Sequence, residues 1–215
     1  MKDFFRKYLN DEIKLEKWQI IGTICLVIVV SGMFGWLYEF IFYFFNSGMK
    51  KFYLRGANFL PWINIYATGS IMIILLTRNL KKYPILIFLI AFISTGILEY
   101  FSGYFMYKLM NGIRCWDYNT EILNFGNIDG FVCLRSVTFF GLSALFLMYF
   151  LLPIFMYLSI KMNKKTFIIL SVSICALFLF DEFYNLIFAK ILNAPRATNI
   201  YRKIGFDYMN YYKNR

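Results

Sequence analysis

The chain has 215 residues, of which 60% are hydrophobic, 22% aromatic and 16% charged, and its formal net charge is +11. A soluble domain averages about 45–50% apolar and about 25% charged residues. One core of this size could not hide the excess, so composition excludes a soluble globular enzyme and points to an integral membrane protein. The absence of histidine removes Ser-His-Asp and Cys-His catalysis, His-ligated zinc and the usual near-neutral proton switch. The basic residues lie in short clusters between apolar runs. That pattern suits anionic headgroups at helix ends and not a nucleic-acid face.

In chain order, residues 1–18 form a polar N-terminal segment with Lys2, Asp3, Arg6, Lys7, Asp11, Glu12, Lys14, Glu16 and Lys17. A transmembrane domain over 19–192 follows. Its first span, 19–45, is longer than a signal-peptide core and shows no small-residue cleavage site, so it reads as retained. About 20 apolar residues cross a bilayer, and a longer run tilts. Lys50, Lys51 and Arg55 lead to a second span, 57–77, broken near its start by Pro61 and softened by Asn64, Thr68, Gly69 and Ser70. After Arg78, Lys81 and Lys82, Pro84 stands in the first turn of a third span, 84–107, where a helix tolerates proline. Residues 108–136 are the longest internal polar segment. The fourth span, 137–160, should be distorted at Pro153, and Lys161, Lys164 and Lys165 separate it from the fifth, 166–192. A polar aromatic tail, 193–215, carries Tyr201, Tyr208, Tyr211 and Tyr212, which suit a membrane interface. The expected fold is therefore an all-α polytopic transmembrane helical bundle of about five spans. Basic residues are nearly balanced between the two sides; setting aside Arg55, Arg114 and Arg135 as site residues tips the N-terminus towards the cytoplasm.

The four cysteines, Cys25, Cys115, Cys133 and Cys175, form no Cys-x-x-Cys pair, so no metal site is expected. Cys25 and Cys175 read as packing residues. Cys115 and Cys133 share one segment, and either pair in an oxidising compartment or stay free.

The odd-numbered spans echo one another. Each carries a Glu followed by an aromatic residue in its C-terminal half: Glu39-Phe40, Glu99-Tyr100 and Glu182-Phe183. Residues 59–69 and 131–141 can also be written in register, which fits a parallel duplication of a two-helix unit as well as chance in an aromatic-rich chain. All odd spans run the same way, so the three acids lie roughly 9–15 Å below one surface. Arg55, Arg114, Asp117 and Arg135 belong to segments on that side. An ionised carboxylate in hydrocarbon costs at least about 2.5–3.5 kcal/mol, so the acids either pair with arginines to fix the bundle or line a cavity for a polar or ionic solute. Asp181 points about 100° from Glu182 on a helix, and Glu182 is the one that repeats the pattern. Trp116 and Tyr118 suit an aromatic belt, while Asp117 and Asn119 suit a turn cap.

These same segments carry a family resemblance. One half is Glu39 after Gly35, then Arg55-Gly56 before Pro61, Ile65-Tyr66 and Gly69. The other is Leu98-Glu99-Tyr100, then Trp116-Asp117-Tyr118, Asn124, Ile128, Gly130, Cys133-Leu134-Arg135 and Gly141. Together, over about residues 30–150, they resemble the ABC-transporter permease type IV family, also called CmpB-like. The chain departs from the family pattern at Glu121 to Asn127, which include extra residues, and at Phe59-Leu60-Pro61. The resemblance implies a permease partnered by a separate ATPase. The chain itself has no Gly-x-x-x-x-Gly-Lys-Ser/Thr phosphate loop.

Three functions fit. The first is a small permease of the cell membrane that oligomerises and moves or binds a polar or ionic solute, with Glu39, Arg55, Glu99, Arg114, Trp116, Asp117, Asn124, Arg135 and Glu182 as candidate binding residues and no metal or cofactor. The second is a membrane-embedded enzyme acting on a lipid or lipid-linked headgroup, weakened by the lack of histidine and of a metal-ligand cluster. The third is a non-catalytic membrane interaction subunit.

Overall fold

The computed structural model describes residues 2–109 and 111–206; Tyr208, Tyr211 and Tyr212 of the aromatic tail lie outside them. Seven helices organise this part: α1 (Lys2–Leu9), α2 (Lys17–Asn46), α3 (Asn64–Thr77), α4 (Pro84–Leu109), α5 (Leu134–Lys161), α6 (Lys164–Ile191) and α7 (Ala197–Lys203). No strand occurs among the described residues.

Four helices, α2, α4, α5 and α6, are long and apolar enough to cross a membrane. The expected second span is shorter than the sequence suggested. Residues 57–63 are irregular and α3 has only 14 residues, about 21 Å of helix against a hydrocarbon core of about 30 Å. Left-handed backbone at Ala57 (φ 59°) follows Gly56 (φ 90°), and Pro61 disfavours helix at Leu60. The chain therefore enters α3 from a loop rather than from a helical turn.

Pro84 opens α4 as expected. The distortion expected at Pro153 takes the form of a π turn over Leu147–Leu151 inside α5. α2 packs on α3, α5 and α6, and α4 packs on α5. The amphipathic α1 fills the notch beneath short α3. Tyr8 is fully buried there with Val27, Ile73, Ile87, Met148 and Leu152, and Lys81 of the α3–α4 turn bonds Asp11. On the outside, α4 presents a stripe of Ile85, Leu89, Ile93, Ile97, Phe101 and Phe105, all exposed. The four-residue spacing keeps them on one face, suited to lipid.

Candidate functional site

Glu39 sits near the C-terminal end of α2. One turn earlier, Gly35 leaves room for the Tyr66 ring; a Cβ there would overlap it. This close approach brings the first turns of α3 to Glu39, whose Oε1 accepts from the Tyr66 hydroxyl at 3.3 Å. Its Oε2 accepts from Arg55 Nε at 2.6 Å. The Arg55 guanidinium lies 4.3 Å above the Tyr43 ring.

The pair α4–α5 repeats this arrangement. Glu99 of α4 accepts from the Ser136 hydroxyl, in the first turn of α5, at 2.7 Å, and from the Tyr118 hydroxyl of the intervening loop. Each long helix thus passes a carboxylate to a hydroxyl on the helix that follows it. The difference is in the counter-charge. Glu39 holds an arginine, whereas Glu99, only 4% exposed, is met by two neutral hydroxyls. Burial, then the nearby Glu99 and Glu121, push the Tyr118 phenol well above its ordinary range, so it stays a donor.

A third carboxylate joins from the loop between α4 and α5. Glu121 pairs with Arg135 at 2.6 Å and accepts from the Tyr43 hydroxyl of α2, tying the two halves together. Burial pushes the Glu121 carboxyl above the usual carboxylate range, while hydrogen bonds from Tyr43 and Arg135 act in the other direction. Arg135 lies 3.8 Å over the Phe42 ring, and its Nε is buried without a hydrogen-bond partner among the described residues. A free donor at that depth is costly.

These groups enclose one cavity lined by Glu39, Arg55, Glu99, Trp116, Glu121 and Arg135 together with Tyr38, Tyr43, Tyr66, Tyr118 and Ser136. Its volume is about 30 Å³, room for one or about two waters. Five of its ionisable groups are three carboxylates and two guanidiniums.

Of the residues singled out in the sequence, Glu39, Arg55, Glu99, Trp116 and Arg135 therefore meet. Glu182 does not join them. Its Oε1 accepts from Asn58 at 2.7 Å, and its neighbour Asp181 accepts from the backbone N–H groups of Phe59 and Leu60 at 3.0 and 2.9 Å. This second acidic pair holds the loop that leads into α3. Arg114 and Asp117 lie on the outer side of the α4–α5 loop, 3.8 Å apart, and Asn124 donates to the Asn119 carbonyl at 3.5 Å. Trp116 turns its Nε1 to the Phe131 carbonyl at 2.8 Å while its ring faces the cavity. Glu121, Tyr43, Tyr66, Tyr118 and Ser136 were not expected. Glu121 lies in the polar stretch that departs from the family pattern, and a hydroxyl without a charge gives no signal of its own. No disulfide joins Cys115 and Cys133; Cys133 Sγ lies 3.7 Å from Ser136 Oγ.

Residues 19–186 match the sequence profile of the family described as "Putative ABC-transporter type IV". The chain belongs to this family. No curated protein and no solved structure matches it. In this type IV chain the matched segment contains every residue lining the cavity together with Asp181 and Glu182, and leaves out α1 and α7.

Proposed function

We propose that this chain is the multi-pass permease component of a transport system in the cell membrane, and that the cavity among Glu39, Glu99, Glu121, Arg55 and Arg135 handles the solute. The observation that carries the reading is Glu99: a buried carboxylate with hydroxyl partners and, among the described residues, no basic one, beside two carboxylates that are paired. Burying an ion without a counter-charge costs several kcal/mol, and a bundle that needed only fixing would be more stable with an apolar residue there. A small cation or a proton at Glu99 balances the cavity. The volume of about 30 Å³ suits an ion or a water-sized group; anything larger requires the aromatic walls to move. Family membership supports a separate ATPase as the source of energy.

Two measurements test this. Tagged protein is extracted from its native membrane in a gentle detergent and its partners are identified by mass spectrometry. A stoichiometric ATPase, whose hydrolysis in proteoliposomes responds to wild-type chain and not to Glu99→Gln, is expected. Reproducible absence of an ATPase would remove the permease reading and leave a stand-alone membrane protein.

A further inference from the structure

On the outer side of the α4–α5 loop lies a second concave site, separate from the buried cavity. It is a groove of about 460 Å³ bounded by Tyr100, Tyr104, Tyr107, Arg114, Asn119 and Asp129. The three tyrosines follow the helical spacing that keeps them on one face of α4. The Tyr100 and Tyr104 rings are parallel to within 2°, with centroids 6.4 Å apart. An interfacial aromatic belt alone would explain tyrosines here. It would not explain a polar loop folded back over them. Arg114 Nη1 donates to the Asp129 carbonyl at 2.6 Å, Tyr100 donates to Asp129 Oδ2 at 3.0 Å, and Asn119 Nδ2 donates to Asp117 Oδ1 at 2.8 Å. Gly130, at φ +75°, allows this convergence: a Cβ there would strike Arg114, Asp117 and Asn119 together. The hydroxyls of Tyr104 and Tyr107 have no hydrogen-bond partner among the described residues, and Tyr104 is 44% exposed.

Charge decides what fits. The cation sites on the rings are already taken by the protein: Lys108 lies 5.4 Å over Tyr104, and Arg114 lies 5.2 Å over Tyr107 and 4.3 Å over Phe131. A quaternary ammonium group would compete with both. An anion would meet Asp129. One base, Arg114, and one acid, Asp129, line the groove and leave it neutral, with aromatic faces, phenols and an amide. That is the complement of a sugar ring, whose C–H faces pack on aromatics and whose hydroxyls both donate and accept. The groove also adjoins the exposed apolar stripe Ile93, Ile97, Phe101 and Phe105, one residue round the helix from the tyrosines. An acyl chain on that stripe would deliver its headgroup to the groove. We propose that this groove binds the neutral sugar headgroup of a membrane glycolipid.

The test uses the full chain in nanodiscs doped with glucosyl-diacylglycerol, diacylglycerol or phosphatidylglycerol, re-extracted in a sugar-free detergent and counted for retained lipid by native mass spectrometry. Glucosyl-diacylglycerol should be retained about tenfold over the other two. Tyr104→Ala should reduce this preference roughly threefold to tenfold, the range for one aromatic contact, with Asn119→Ala as a second, exposed variant that leaves the helix untouched. Equal retention of all three lipids, or an unchanged preference in both variants, would overturn the proposal. Equally tight binding of methyl glucoside alone would overturn the assignment to a lipid. None of these readouts depends on the buried cavity or on an ATPase.

Discussion

The Tyr8 hydroxyl of α1 donates to the Met148 carbonyl in the middle of α5 at 2.6 Å. The contact closes a gap that α5 creates in itself. Within its π turn the Leu152 N–H bonds the Leu147 carbonyl, so the next carbonyl, Met148, would take its hydrogen bond from residue 153. That residue is proline and has no N–H. A short helix from the other end of the chain supplies the missing donor.

Removing that donor should therefore cost more than a surface hydroxyl would. Tyr8→Phe leaves a buried acceptor unpaired and is expected to destabilise the protein by about 1–3 kcal/mol, read as a lower midpoint in detergent unfolding. Pro153→Ala restores a backbone donor, so the double variant should lose less than the sum of the two. Strict additivity would mean that the two residues do not share one carbonyl.

Glu99 and Glu121 should separate stability from transport. Glu121→Ala strands Arg135, already short of a partner at Nε, and breaking a buried ion pair from one side costs about 3–5 kcal/mol. Glu99→Gln keeps the shape and leaves no base unpaired. Its unfolding midpoint should stay near wild type while solute-dependent ATPase stimulation disappears. A large drop in the midpoint for Glu99→Gln would instead make Glu99 a structural member of the bundle.

Asp181 should control the loop before α3. Asp181→Ala frees the N–H groups of Phe59 and Leu60 and also leaves Asn185 without its bond to Oδ1 at 2.8 Å. Limited proteolysis should then cut within 56–63 several-fold faster than in wild type, in keeping with about 1–3 kcal/mol lost for the unpaired donors. An unchanged cleavage pattern would show that the loop is held by other contacts.

Gly35→Ala should act at a distance of one helical turn from Glu39. A Cβ overlaps the Tyr66 ring, and overpacking costs about 1–3 kcal/mol. The ring must move away from Glu39, so Tyr66→Phe, which deletes only the hydroxyl, should be the milder change. If Gly35→Ala proves as stable as wild type, α2 and α3 do not approach as closely as the Gly35–Tyr66 contact requires.

The cysteines offer a test with a pH sign. Burial raises the Cys115 thiol above its ordinary value of 9.0, so its thiolate fraction at neutral pH is lower than that of a free thiol. Maleimide labelling at Cys115 should be slow at pH 7 and accelerate as pH rises past 9, and Cys133, buried against Ser136, should label only after unfolding. Intact mass without reductant should correspond to a chain with no disulfide.

By itself, the sequence determined the membrane class, the helical architecture, the family and the identity of two of the three cavity acids. Long apolar runs admit few alternatives in a bilayer, where the backbone must satisfy its own hydrogen bonds, and a charged residue inside such a run stands out. The sequence did not determine how far each apolar run is helical: 57–63 is apolar enough to span, yet backbone geometry at Gly56, Ala57 and Pro61 makes it a loop. Nor could hydropathy show which acids meet. Glu182 repeats the pattern of Glu39 and Glu99 but faces the loop before α3, because helix rotation about its axis is set by packing against neighbours. Glu121 reads as one polar residue in a polar loop and is carried into the bundle only by the folding of that loop between Tyr43 and Arg135. Those pairings join residues 78 and 14 positions apart. The first of them depends on how two helix pairs stand against each other, a relationship that exists only once the bundle is assembled.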